Sequence, residues 1–183
     1  LSRRGEGKGT GPYRNSRTIA APAQAQSEPQ AEAPIPADWN FTLPTLDGDH
    51  FITASQEASQ AGAPLLINFW SADCPPCLAE LPLLQNLAQG PSGWRVLLVT
   101  TDPPALARRT LARLGITLPT VRGAGSAAAL MRAAGHTRPS LPYTVLMHQS
   151  RPCGQHSGAL SAQTLPAVLA QCSQAPALAP PQP

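Results

Sequence analysis

The chain has no long apolar run. No stretch of about 18 apolar residues occurs, so no transmembrane helix is expected, and the apolar region of a signal peptide is missing as well. The chain begins at Leu1 rather than Met, which reads as a processed or truncated start; Ala21-Pro22-Ala23-Gln24-Ala25 has the small-residue spacing of a cleavage site, without the apolar run that should precede one. Lysine is nearly absent, since Lys8 stands alone. The net charge of +3 therefore does not describe a basic face. Arg3, Arg4, Lys8, Arg14 and Arg17 against Glu6 make the first segment basic, Glu28, Glu32 and Asp38 make the next one acidic, and the remainder is only weakly positive. A nucleic-acid surface needs clustered positive charge on a folded face, so no nucleic-acid partner is expected. The basic arm can touch anionic lipid or simply be a solvated linker. Only one CxxC occurs among the four cysteines, half of the four-ligand set that a structural zinc site requires.

The two ends also lack large apolar residues. Residues 1–38 are rich in Gly, Pro, Ala, Gln and Ser, and residues 174–183 form a Pro/Ala tail. Such segments cannot bury enough surface to offset their ordering entropy, so both are expected to be disordered. Residues 39–173 remain as one domain, long enough for a single core. No internal repeat is visible.

The most informative run is Cys74-Pro75-Pro76-Cys77-Leu78-Ala79-Glu80-Leu81-Pro82, which follows the apolar stretch Leu65-Leu66-Ile67-Asn68-Phe69-Trp70. A buried strand runs into CxxC, and CxxC opens a helix. Two cysteines three apart on a first helical turn meet the Cα spacing a disulfide needs. The first one sits beside unpaired N–H groups, which together with the helix dipole stabilise a thiolate, the attacking species in disulfide exchange. Cys74 is thus the expected exposed nucleophile and Cys77 the resolving thiol inside the helix. Pro75 and Pro76 suit the first turn, where no intrahelical donor is lost. The context, strand then CxxC within an α/β pattern, favours redox chemistry over metal binding.

The rest of the chain supports that pattern. Trp39–Leu43 and Phe51-Ile52 flank Asp47-Gly48-Asp49 and read as a hairpin. Leu65–Trp70 and Arg95–Thr100 read as buried strands, Tyr143–Met147 as a third, and Pro152–Ser157 as a weaker one. Helices are expected over Cys77–Gln89 with Pro82 as a kink, over Ala105–Leu114 ended by Gly115, over Ser126–Ala134 ended by Gly135, and over Ser161–Cys172 with Ser161 as the cap. Strands alternating with helices, then a late hairpin, give an α/β fold: a central mixed β-sheet with helices on both faces.

Asn68-Phe69-Trp70 before CxxC, Glu80-Leu81-Pro82 after it, and Ser140-Leu141-Pro142-Tyr143-Thr144 far downstream resemble the thioredoxin-like disulfide reductases of the bacterial cell envelope, the TlpA/ResA type that includes the cytochrome c maturation thioredoxins. The resemblance covers residues 39–173 and implies a thioredoxin fold with an N-terminal β-hairpin addition. It implies that Leu141–Pro142 is cis and lies against the CxxC, and that Trp70, Leu141 and Pro142 bind the substrate, which docks as an extended segment by strand addition; the plain alternative is an ordinary turn proline. It also implies a proton-transfer role for Glu80, on the same helix face as Cys77, where a partly buried carboxylate with a raised pKa can take the Cys77 proton; a solvated surface glutamate is the alternative. Thioredoxin carries a buried aspartate where this chain has Asn68. Asp73 departs from the family, which has an uncharged residue there: a carboxylate either disfavours the Cys74 thiolate or is exposed and screened.

Cys153 and Cys172 lie outside the CxxC. A strand from Cys153 to Gly158 spans roughly 16 Å at about 3.3 Å per residue, and a helix from Ala162 back to Cys172 spans roughly 15 Å at about 1.5 Å per residue. The lengths match, so a structural Cys153–Cys172 disulfide is expected, with two buried free thiols or a metal site completed by His156 as rivals. A disulfide implies an oxidising compartment. His50, His136 and His148 show no ligand spacing and are expected on the surface or in turns.

The resulting expectation is a thiol:disulfide oxidoreductase that reduces disulfides in envelope proteins. By the resemblance, apocytochrome c is one substrate candidate, a membrane thiol donor restores the dithiol, and the location is the periplasm or cell envelope. No cofactor or metal is required, and a monomer is expected. Other readings are a dithiol oxidase or isomerase on the same fold, a peroxiredoxin-type peroxidase, for which the surroundings of Cys74 lack the required motif, and a copper chaperone, whose CxxxC spacing is one residue longer.

Overall fold

Period-two alternation in Leu65–Trp70 sends Leu65, Ile67 and Phe69 to one face and Leu66, Asn68 and Trp70 to the other, and all six are buried. A strand buried on both faces must be central and covered on both sides. The computed structural model, which describes residues 32–173, places it so. A five-stranded mixed sheet has the order β5-β4-β3-β6-β7, with β3 (Leu65–Trp70), β4 (Arg95–Thr100), β5 (Thr120–Arg122), β6 (Tyr143–His148) and β7 (Arg151–Ser157). β3, β4 and β5 are parallel, β6 runs antiparallel to β3, and β7 antiparallel to β6. A separate two-stranded sheet joins β1 (Thr42–Pro44) and β2 (Phe51–Thr53), and Thr45 bridges to Val121 on the β5 edge.

Helices cover both faces. On one, α1 (Ala54–Ser59), α4 (Ala127–Ala133) and the β1/β2 hairpin enclose a core of Trp39, Phe41, Leu43, Ile67, Phe69, Val99, Met131 and Tyr143. On the other, α2 (Pro75–Gln89), α3 (Pro104–Leu114) and α5 (Leu165–Ser173) enclose Leu66, Trp70, Leu81, Leu84, Leu98, Leu111 and Val168, together with Cys74 and Cys77. Each fully buried large side chain of this kind contributes about 1.5–3 kcal/mol relative to exposure. Among the described residues no helix is long and apolar enough to cross a membrane.

Several boundaries differ from the sequence expectation. The helix after CxxC begins at Pro75, with both prolines in its first turn, because a missing N–H costs nothing there. Pro82 lies inside this helix on its solvent side, and the helix continues to Gln89. The last helix begins at Leu165, not Ser161: residues 161–164 form a turn in which the Thr164 N–H donates to Ser161 Oγ (3.2 Å), and Pro166 fits only near a helix start. α1 and β5 have no counterpart in the sequence reading. Both are short, and α1 buries only Ala54 and Ala58, too little to produce an apolar periodicity.

The folded region also begins earlier than residue 39. Residues 32–38 lie along the domain: Ile35 packs on the core, Gln155 Nε2 donates to the Ala33 carbonyl (2.9 Å), and Glu32 meets Ser157 and His136. Gly135 has φ +90°, and a Cβ there would collide with the Ala33 carbonyl. Composition alone missed this because a single apolar residue, Ile35, carries the packing. The expected disorder of residues 1–31 and 174–183 lies outside the described residues.

Candidate active site

β3 delivers the chain to the CxxC, and the residues between are held by the neighbouring strand. Thr101 N–H donates to the Trp70 carbonyl (3.1 Å), and Asp102, 6% exposed, accepts from the Ala72 N–H at 2.7 Å and from Thr100 Oγ1 at 3.3 Å. Cys74 follows with extended backbone angles (φ −109°, ψ 94°) as the N-cap of α2. Its Sγ accepts from the Cys77 N–H at 3.2 Å. The two cysteines are joined as a disulfide with Cα atoms 5.2 Å apart. Cys74 is 9% exposed and Cys77 0%, so access to the pair is through Cys74. In this oxidised state the expected exposed nucleophile is largely covered.

One turn after Cys77, Glu80 points into the protein and is 2% exposed. Its Oε1 accepts from Asn68 Nδ2 (2.7 Å) and its Oε2 from the Leu160 N–H (2.5 Å). Asn68 Nδ2 also donates to Thr144 Oγ1 (3.2 Å). Burial lifts the Glu80 pKa from 4.5 to about 7, while the hydrogen bonds from Leu160 and Asn68 pull it back down. A carboxyl with a pKa near neutrality exchanges protons readily at physiological pH. The solvated-surface alternative for Glu80 does not hold.

Leu141–Pro142 is a cis peptide. Phe69 pairs with Tyr143 in the antiparallel β3/β6 register, so the next step along the ladder brings Pro142 beside Trp70, at the end of β3 that leads to the CxxC. The Pro142 carbonyl accepts from the Gly158 N–H (3.0 Å), and Leu141, half-buried, packs on both cores. Trp70 is 0% exposed, so in this state it supports the site from beneath and offers no surface to a partner. Asp73 is exposed.

Cys153 on β7 and Cys172 on α5 form the second disulfide, with Cα atoms 4.8 Å apart; the described residues contain no free cysteine. Gln171 runs alongside, its Oε1 accepting from the Gln155 N–H (3.0 Å) and its Nε2 donating to the Gln155 carbonyl (3.2 Å). Helix and edge strand are thus stitched together. His136 is not a surface histidine: it is 6% exposed and stacks on the Tyr143 ring with centroids 4.4 Å apart.

Two parts of the site were not visible in the sequence. Asp102 carries no motif, and its role appears only when β4 is laid beside β3. Leu160 acts through its backbone N–H, which no side-chain pattern can signal. Asn68 and Thr144 stand within the apolar run before the CxxC and the run after Pro142, but the chain of bonds from Thr144 through Asn68 to Glu80 is tertiary.

Fold and centre together define a thioredoxin-like protein with a CxxC disulfide at a helix N-terminus. The Redoxin family model matches residues 30–151, more than half of the chain, and the chain belongs to that family. It is 41% identical over 56 residues to the thiol:disulfide interchange protein DsbE of Pseudomonas fluorescens biotype C, covering 31% of this chain and 28% of that protein. It is 31% identical over 85 residues to the thiol-disulfide oxidoreductase ResA of Halalkalibacterium halodurans, covering 45% and 46%. The matched stretches thus span less than half the length of these curated relatives. The crystal structure of a thiol:disulfide interchange protein of the thioredoxin family from Chlorobium tepidum TLS is similar with a TM-score of 0.59 at 18% identity, over 79% of this chain and 99% of that one, a likeness of fold.

Proposed function

We propose that this protein is a thiol:disulfide oxidoreductase that reduces disulfides in other proteins. The observation that carries the reading is a CxxC pair at a helix N-terminus with a buried, near-neutral carboxyl one turn beyond it. In the reduced protein the Cys77 N–H and the start of α2 face Cys74 Sγ and favour its thiolate. The Cys74 thiolate attacks one sulfur of the partner's disulfide. A Cys74–partner bond forms, the partner's S–S bond breaks, and its second sulfur leaves as a thiolate and takes up a proton. The Cys77 thiol gives its proton to Glu80, and the resulting thiolate attacks Cys74 Sγ. The Cys74–Cys77 bond forms, the mixed disulfide breaks, the partner's sulfur leaves as a thiolate and takes up a proton as Glu80 gives up the one it received, and two electrons have passed to the partner, which departs as a dithiol. The segment at Leu141–Pro142 and the surface above Trp70 receive the partner as an extended chain. A membrane thiol donor restores the dithiol, and the cell envelope is the compartment, a reading supported by the second disulfide, since structural disulfides belong to oxidising surroundings.

The direction is tested by the reduction potential of Cys74–Cys77, measured by equilibration in redox buffers with thiol trapping and mass detection. A value near roughly −270 mV or lower supports a reductase. A value near roughly −120 mV makes the protein an oxidant and reverses the direction.

A further inference from the structure

Among the groups that hold Glu80, Asn68 has a hydrogen-bonding atom left over. The residue is 0% exposed, and while its Nδ2 donates to Glu80 Oε1 and Thr144 Oγ1, its Oδ1 is buried with no partner among the described residues. We propose that Asn68 is a positioning residue that tracks the proton on Glu80: its amide donates to the carboxylate and, turned over, accepts from the carboxylic acid. The inference rests on the reading of Glu80 as the group that takes the Cys77 proton.

The two oxygens of Glu80 are not equivalent. Oε2 faces the Leu160 N–H at 2.5 Å, a backbone donor that cannot become an acceptor. A proton arriving from Cys77 is therefore accommodated on Oε1. There it meets the Asn68 NH2, a donor facing a donor. Turning the amide by half a rotation places Oδ1 against the new O–H at almost no change in shape, because the two ends of an amide are nearly isosteric. Thr144 Oγ1, which accepts in the present arrangement, is a hydroxyl and can rotate to donate to the same oxygen, whose two lone pairs serve both. Each protonation state leaves one end of the amide unpaired, so the count of unsatisfied groups favours neither state. Aspartate at position 68 would set a second carboxylate against the first and drive their titrations apart. Leucine would hold neither state. Asparagine keeps the Glu80 carboxyl in one place while its charge changes, which a base that must accept and return a proton within a packed core requires.

The experiment is an NMR titration of the oxidised protein from about pH 5 to 9, following the Glu80 carboxyl carbon and the Asn68 side-chain amide together, with Glu80→Gln as control. The expected result is a common midpoint, near the pKa of about 7, for both signals, and an Asn68 signal flat with pH in Glu80→Gln. Asn68→Leu removes a bond from each state, but a hydrogen bond to the charged form is worth about 1 kcal/mol more than one to the neutral acid, so the Glu80 midpoint should move upward by about one pH unit, and the pH profile of the resolving step should move with it. An Asn68 amide that ignores pH while Glu80 titrates overturns the proposal and leaves the reading of Glu80 intact. A Glu80 carboxyl that does not titrate in this range overturns both. The turning of the amide itself is read from the proton–proton contact between the Asn68 NH2 and the Thr144 side chain, expected above the midpoint and lost below it; a contact unchanged with pH overturns the proposal, and this wild-type measurement stands even if Asn68→Leu does not fold.

Discussion

Glu80→Gln should remove a distinct pH dependence from the protein's stability. In the folded protein the carboxyl is 2% exposed and its pKa is lifted by burial to about 7; in the unfolded chain it returns to the ordinary value of 4.5. Between these values the folded state holds a proton that the unfolded state has released, so raising the pH favours unfolding. The contribution is fully present below about pH 4.5, declines through the window, and is gone above about pH 7. At about 1.4 kcal/mol per pH unit, the interval from 4.5 to about 7 corresponds to about 3 kcal/mol. The assay is urea denaturation of wild type and Glu80→Gln at closely spaced pH values, with both disulfides oxidised so that no thiol titrates. Groups common to the two proteins cancel in the difference. Wild type should lose about 3 kcal/mol relative to the variant between pH 4.5 and 7. Glutamine's own hydrogen-bond mismatch with Asn68 and Leu160 adds a constant offset but no slope. Parallel curves would refute the reasoning, since they would mean that Glu80 is hydrated in solution and ionises as an ordinary surface carboxyl.

Replacing both Cys153 and Cys172 with alanine should cost about 3 kcal/mol, the chain-entropy value for a loop of this size, given their separation of 19 residues. Urea denaturation reads this directly, and thiol exchange at Cys74–Cys77 should persist; a loss under about 1 kcal/mol would mean that the bond adds no constraint beyond the α5–β7 packing. Asp102→Ala removes the acceptor for the Ala72 N–H and should cost about 1–3 kcal/mol, with faster amide hydrogen exchange at Ala72. Unchanged exchange there would show that the segment before Cys74 is held by something else.

The central strand was legible because Leu65–Trp70 is a short, nearly continuous apolar run bounded by turn residues, the pattern of a strand buried on both faces, and the CxxC after it was legible because its spacing answers to covalent geometry and to the open N–H groups of a helix start. The hairpin of β1 and β2 followed from Asp47-Gly48-Asp49, and the Cys153–Cys172 disulfide from the matching lengths of a strand and a helix. Each of these is a local rule, or two local lengths compared. What failed was equally physical. β5 spans three residues, and its strand character comes from its place beside β4 and Thr45. Residues 32–38 are held by Ile35 on the core and by the Gln155 bond to the Ala33 carbonyl, with Gly135 leaving room for that carbonyl, contacts between segments about a hundred positions apart. His136 carries no sign in the sequence that it stacks on Tyr143. That a pair of cysteines sits at the start of a helix after a buried strand is written in the order of residues alone, because strand period, helix capping and disulfide spacing all act over a few residues. What surrounds the carboxyl one turn beyond the second cysteine depends instead on packing between distant elements. Asn68 from β3, itself bonded to Thr144 on β6, and the Leu160 N–H beyond β7 reach Glu80 on α2, and the depth at which the core encloses it sets the carboxyl's affinity for a proton, because desolvation depends on everything packed around a charge and not on its neighbours in the chain.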